Sequence, residues 1–276
     1  MANTLSKALD YAARSDPGLV RRKNEDSLFA DPGYGLFILA DGMGGYDAGE
    51  VASQMATSLL SSKLKEIFQL YPEYAANYKS RQSLLQRGLI ENIASINTAI
   101  YDATDHGSPL FGMGTTLLVT IFCDDHVLVA HVGDSRCYRL RKELLTLMTR
   151  DHSLVQEHID GGLISAEEAR YVDYRNLLTR AIGIDRQVEP ELHVHQTEPG
   201  DVYLLCSDGL YDMVAETEMR QILLTHADDL VGAAGTLIEL ANEYGGEDNI
   251  SVLLVKVLQN FPTPAKTSWS KLCAWF

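Results

Sequence analysis

The stretch TTLLVTIFCDDHVLVAHV, residues 115–132, holds two apolar, β-branched runs, Thr115–Cys123 and His126–Val132, with only Asp124 and Asp125 between them. A parallel crossover needs roughly a dozen connecting residues, whereas a two-residue link suits a tight turn. The stretch therefore predicts an antiparallel hairpin. Working outward, short apolar runs at Ser27–Ala30, Gly35–Ala40, Val127–Val132, Val202–Cys206 and Ser251–Val257 predict strands, because runs of this length and composition suit a buried sheet.

Helical patterns lie between the strands. After Asp47, the residues Ala48, Ala52, Met55, Ala56, Leu59, Leu60, Leu64 and Ile67 fall on one face, with Asp47 and Glu50 spaced as a capping box. A second helix is predicted over much of Ser83–Ala103. A third follows Asp229, with Leu230, Ala233, Ala234, Leu237, Ile238, Ala241 and Tyr244 as its stripe. One-sided helices beside hairpin-linked strands imply sheets covered by helices in layers. Asp151–Asp185 differs: Gly161 and Gly162, a Ser165/Glu168 capping box and the polar run Tyr171–Asn176 predict a helical insertion. From Phe261, Pro262 and Pro264 break the chain, and Trp269, Leu272, Trp275 and Phe276 then share a helical face. That tail has two open readings, packing on its own domain or docking to a partner or membrane surface.

The bulk properties exclude several classes. A chain of 276 residues that is 46% hydrophobic and 22% charged can build a substantial core, and a single domain is expected. A formal net charge of −15 opposes binding to a phosphate backbone, so no nucleic acid is expected as a partner. Cys123, Cys137, Cys206 and Cys273 form no Cys-x-x-Cys pair and read as buried thiols of a reducing compartment. No signal-like start and no apolar run near the ~20 residues of a membrane span is present, so a cytoplasmic protein is expected.

The chemistry lies where strand-like runs stop. Phe37–Ala40 leads into Asp41-Gly42, Ala130–Val132 into Gly133-Asp134, and Leu204–Ser207 into Asp208-Gly209; Glu25-Asp26 and Glu247-Asp248 precede two more runs. One Asp-Gly alone is ordinarily a turn. Several carboxylates gathered at neighbouring strand ends would raise one another's pKa unless cations neutralised them. All-oxygen donors favour hard Mg2+ or Mn2+ over zinc, and the glycines let backbone approach an ion. Spacing alone leaves open whether these residues meet.

Arg21-x-x-Asn24-Glu25-Asp26, Ala40-Asp41-Gly42-Met43-Gly44-Gly45, Gly112-Met113-Gly114-Thr115-Thr116, Val132-Gly133-Asp134-Ser135-Arg136, Cys206-Ser207-Asp208-Gly209 and Glu247-Asp248-Asn249-Ile250-Ser251 occur in this order. With these motifs the chain resembles the metal-dependent (PPM, or type 2C) protein phosphatases in their bacterial form, from about Arg21 to Val257. The resemblance implies an α+β fold, a four-layer α-β-β-α sandwich with two central antiparallel sheets. The domain would span residues 1–260 with a flap at about 151–185, followed by the aromatic tail 261–276. It implies that Asp41 bridges two Mn2+ or Mg2+ ions, that Gly42 offers its carbonyl, and that Asp208 and Asp248 complete the set. Glu25 and Asp26 would act through waters, and Asp134 with Asp208 would hold a third ion. The implied reaction is hydrolysis of phosphoserine and phosphothreonine on proteins by in-line attack of metal-activated water, without a phosphoenzyme. Arg21 would grip the phosphate, where its residue type alone reads as a solvated surface arginine. The implied partners are phosphoproteins, a Ser/Thr kinase and its targets, with the enzyme acting as a monomer.

One departure concerns the general acid. Bacterial relatives often follow the Gly-Gly with histidine, but this chain has Tyr46, and a tyrosine of ordinary pKa is a poor proton donor at neutral pH. A metal-bound water and His152 are the substitutes considered, the latter against its reading as a structural histidine. Competing chemistries lack their motifs: there is no Asp-x-Asp for an aspartyl nucleophile and no P-loop, and Arg150-Asp151-His152 echoes a kinase loop without a glycine-rich loop before it. A catalytically silent binding member of the fold remains as a rival. So does a phosphatase of anti-sigma-factor partner switches. Either is separable by activity on aryl phosphates and phosphopeptides.

Overall fold

A computed structural model describes residues 2–45, 47–70, 78–104, 110, 112–165, 167–174 and 176–261. Its first half comprises α1 (Ala2–Ala8), β1 (Leu9–Asp16), β2 (Asp26–Asp31), β3 (Leu36–Met43), α2 (Ala48–Leu70), α3 (Tyr78–Ala103), β4 (Gly114–Thr115), β5 (Leu117–Cys123) and β6 (His126–Val132). The second half adds β7 (Arg136–Arg141), β8 (Leu144–Leu147), α4 (Leu154–Asp160), β9 (Glu191–Gln196), β10 (Val202–Cys206), α5 (Asp208–Tyr211), α6 (Glu216–Thr225), α7 (Leu230–Glu243) and β11 (Ile250–Val257). One five-stranded sheet has the order β1-β11-β10-β7-β8; the other, six-stranded, runs β2-β3-β5-β6-β9 with β4 beside β3. The pairings are antiparallel.

The expected hairpin is β5–β6, with Cys123 opposite His126. Asp124 and Asp125 both take positive φ, 52° and 57°, as a type I′ turn demands, and aspartate tolerates that region better than bulkier residues.

Side-chain alternation explains why the strands read as unbroken apolar runs. Along β3, Leu36, Ile38 and Ala40 face a core shared with α2 and α3, through Ala52, Leu60, Leu89 and Ile93. Phe37 and Leu39 point the other way, into a layer between the sheets with Phe122, Val129, Tyr203, Leu205 and Leu253. On the far side Leu204, Val252 and Leu254 pack under α7 through Ala233, Ala234 and Leu237. Both faces of β3, β5, β6, β10 and β11 are thus largely dry, and the layers are helix, sheet, sheet, helix.

Several strands escaped the sequence reading. β1, β7, β8 and β9 are polar or alternating, and β1, β8 and β9 are sheet edges. Segment 151–185 contains α4 and a 3-10 turn at Glu168–Tyr171. Its Ser165/Glu168 box is reciprocal: Ser165 N–H donates to Glu168 Oε2 at 2.7 Å, and Glu168 N–H to Ser165 Oγ at 3.2 Å. Asp229 caps α7 by accepting from Gly232 N–H. Tyr244 lies just beyond α7 and is half exposed, so the stripe ends at Ala241. Phe261 is buried with its ring 6.4 Å from Phe122; the proposed helical face of Trp269, Leu272, Trp275 and Phe276 lies outside the described residues, as does Tyr46. Among the described residues no helix is long and apolar enough to cross a membrane.

Candidate metal centre

The acidic strand ends meet at one edge of the sandwich. β3 delivers Asp41, and the antiparallel register puts Asp26, the first residue of β2, opposite it. Glu25 precedes Asp26, Asp134 follows β6 after Gly133, Asp208 opens α5 directly after β10, and Asp248 precedes β11. The two sheets are joined here by Ser207, whose hydroxyl donates to Asp26 Oδ2 at 2.8 Å. Asn249 binds the loop before β2: its Oδ1 accepts from Glu25 N–H at 2.7 Å and its Nδ2 donates to the Lys23 carbonyl at 2.8 Å. The Asp41 backbone is held by Thr115 Oγ1, which donates to its carbonyl at 2.8 Å, and by Thr116 Oγ1, which accepts from its N–H at 2.9 Å. Gly42 is required by contact, since a Cβ there would sit 2.1 Å from the Gly49 carbonyl oxygen at the start of α2.

The electrostatics show what the site lacks on its own. Burial, and then repulsion from Asp26 and Asp208, pushes Asp41 well above the usual carboxylate range. Asp208 is driven up likewise, by burial and then by Asp134 and Asp248. Burial raises Asp26 to about 7, against hydrogen bonds from Ser251 and Ser207. Burial and Asp151 raise Asp134 to about 7. Glu25 is raised by burial, with Arg21 opposing. Asp26 Oδ1 is shielded from solvent without a hydrogen-bond partner. Carboxylates held together against their own repulsion, with an orphaned oxygen among them, fit a site for hard divalent cations. Arg21 stands at the rim, 55% exposed, with Nη2 2.6 Å from Asp248 Oδ2.

Residues 21–235 match the family model described as Protein phosphatase 2C. The chain belongs to the protein phosphatase 2C family. It is 42% identical over 246 residues to a serine/threonine phosphatase, stp, of Listeria monocytogenes serotype 4b, covering 88% of this chain and 94% of that one. The structure of the Mycobacterium tuberculosis serine/threonine phosphatase PstP/Ppp superposes with a TM-score of 0.79 at 39% identity, covering 91% of this chain and 99% of that chain. A second structure, the PstP catalytic domain in complex with two manganese ions, gives 0.77 at the same identity and coverage. Membership of the protein phosphatase 2C family makes this chain a protein phosphatase of the bacterial PPM group, and the sandwich expected from its motifs is the fold observed.

Not every ligand-like cluster in this phosphatase suits a cation. His131, His152 and Glu191 place ligand-type atoms within 4.8 Å of one another. Gly133 N–H donates to His152 Nδ1 at 3.2 Å, which leaves the neutral ring's hydrogen on Nε2, facing Glu191 Oε2 at 3.5 Å. The His131 and His152 rings stack at 4.7 Å and 18°, so their in-plane lone pairs lie in nearly parallel planes, and Arg180 adds a positive charge 3.3 Å from His152 Nε2. Burial, then His131 and Arg180, lowers His152 to about 4. That shift favours the neutral ring, and the bonds of His152 to Gly133 suit its structural reading. Ser207, Thr116 and Asn249 were missed as site residues. All lie inside the quoted motifs, but a hydroxyl or amide in a motif does not reveal that it holds a carboxylate from a distant segment.

Proposed function

We infer that this phosphatase hydrolyses phosphoserine and phosphothreonine on other proteins with two Mn2+ or Mg2+ ions, and opposes a bacterial Ser/Thr kinase in the cytoplasm as a monomer. The observation that carries the reading is the meeting of Asp41, Asp208, Asp248, Asp134, Glu25 and Asp26 at one sheet edge, with Asp41 and Asp208 forced up by burial and mutual repulsion. The relative crystallised with two manganese ions supports the choice of cation. Asp41, the Gly42 carbonyl, Asp208 and Asp248 would hold the pair, Glu25 and Asp26 would act through intervening waters, and Asp134 with Asp208 would hold a third ion. Bound there, the cations would neutralise the cluster and supply a water acidified for attack.

The protein's own groups define the rest of the chemistry. Thr116, Ser135 and Ser207 are almost fully buried and hydrogen-bonded, so these hydroxyls are committed, which supports water as the attacking group and no phosphoenzyme. Arg21 offers a planar fork of donors from an exposed position at the rim, where it can leave Asp248 to take the phosphate oxygens. The test is turnover of an aryl phosphate and a phosphoserine peptide with manganese by wild type, Asp41→Asn and Asp208→Asn. Both variants should lose turnover while keeping the wild-type circular dichroism. Retained turnover in either, or in wild type after exhaustive chelation, overturns the assignment.

A further inference from the structure

Asp134 stands inside a closed circuit of contacts that begins on the segment after β8. His152 grips the preceding residue from both sides: its N–H donates to the Gly133 carbonyl at 3.0 Å, and its Nδ1 accepts from Gly133 N–H at 3.2 Å. Gly133 itself sits at φ +100°, and a Cβ would lie 2.7 Å from Thr116 Cγ2, so the turn is fixed on that side too. The Asp134 carbonyl accepts from the Tyr211 hydroxyl at 3.1 Å. Tyr211 is the last residue of α5, whose first is Asp208, so this bond ties one acidic residue's backbone to the element carrying the other. The Arg136 guanidinium lies 3.7 Å over the Tyr211 ring and makes a two-point contact with Asp151, Nε to Oδ1 at 3.0 Å and Nη2 to Oδ2 at 2.7 Å. Asp151 adjoins His152, which closes the circuit.

We propose that His152, Asp151, Arg136 and Tyr211 are positioning residues that hold Asp134 at the right distance from Asp208 for a divalent cation, and so couple the 151–185 segment to that cation. The inference rests on reading Asp134 as a ligand. Groups that orient a ligand change cation affinity without touching the ion, by about 10–100-fold in well-studied sites. The circuit has that form, because its hydrogen bonds to Gly133 and Asp134 end on their main chain and leave the Asp134 carboxylate to the ion. Coupling of this kind is reciprocal: whatever displaces Asp151 and His152 weakens the cation, and the cation steadies the segment.

The experiment is manganese titration calorimetry on the full chain, with manganese anomalous scattering from crystals to locate each ion. Wild type is compared with Asp134→Asn, Tyr211→Phe, His152→Ala and His152→Asn. Asp134→Asn should remove one class of binding. Tyr211→Phe and His152→Ala should weaken that same class about 10-fold or more, with the tighter class unchanged and the chelated protein still melting cooperatively. His152→Asn should restore affinity, because its Oδ1 can replace Nδ1 as acceptor for Gly133 N–H. Unaltered binding in Asp134→Asn refutes the ligand reading on which the proposal stands. A lost class in Asp134→Asn with wild-type affinity in Tyr211→Phe and His152→Ala refutes the positioning proposal alone. Should His152→Ala lose its fold, Tyr211→Phe, which deletes one hydroxyl, decides.

Discussion

Replacing Asp26 with asparagine should stabilise the cation-free protein, and the gain should depend on pH. The Asp26 carboxyl is lifted from 3.8 to about 7, by burial above all, with Asp248 adding to it and Ser251 and Ser207 opposing. A rise of that size corresponds to ~4 kcal/mol. The sign follows from proton binding: a carboxyl that holds its proton more tightly when folded loses stability as pH climbs from 3.8 to about 7, and carries the full penalty above that. Asparagine has no charge to desolvate, and its amide oxygen still accepts from the Ser207 hydroxyl. A proton taken by Asp41 relieves part of the repulsion in wild type, so a gain of about 2–4 kcal/mol is expected at pH 8, or roughly 4–8 °C. At pH 4.5 about a quarter should remain. Thermal melts in a chelator at both pH values provide the measurement, and added manganese should then raise wild type more than the variant. A variant that melts at or below wild type at pH 8 would refute the reasoning, as would an equal offset at the two pH values.

Gly42→Ala should cut turnover by about 100-fold or more, since its Cβ would collide with the Gly49 carbonyl and force α2 away from the site; steady-state kinetics with saturating manganese checks this. Arg141→Met leaves Asp201, 1% exposed, without its two-point partner and should cost about 3–5 kcal/mol in urea unfolding while preserving kcat at low temperature. Arg21→Ala should raise KM for a phosphopeptide about 10-fold with a smaller change in kcat, because a phosphate grip is already present in the ground state. Equal losses in kcat and kcat/KM would instead assign Arg21 to the transition state.

Much of the fold was legible because local signals agreed with it. The two-residue link at Asp124–Asp125 admits little but a hairpin, and the stripes of α2 and α7 place Ala52, Leu60, Ala233 and Leu237 in the cores where they are found. β7 was illegible for a physical reason. Its Arg136, Arg139 and Arg141 break an apolar run, and the sheet tolerates Arg136 and Arg141 there because Asp151 and Asp201 neutralise them from outside the strand. β1 and β9 sit at edges, where one buried face or less suffices and no continuous run is needed.

The candidate site divides along the same line. The sequence alone determined which residues could serve, because an apolar run that stops at Asp41, Asp134 or Asp208 beside a glycine is a local fact. Which of those ends coincide was decided only by tertiary structure: Ser207 reaches Asp26 across 181 positions and Asn249 reaches Glu25 across 224. Desolvation and charge repulsion depend on distance through space, and spacing along the chain does not contain that distance. For the same reason the His152 residue type left its role open, and only the donor on its Nδ1 and the rings and charges around it showed a neutral histidine holding a turn.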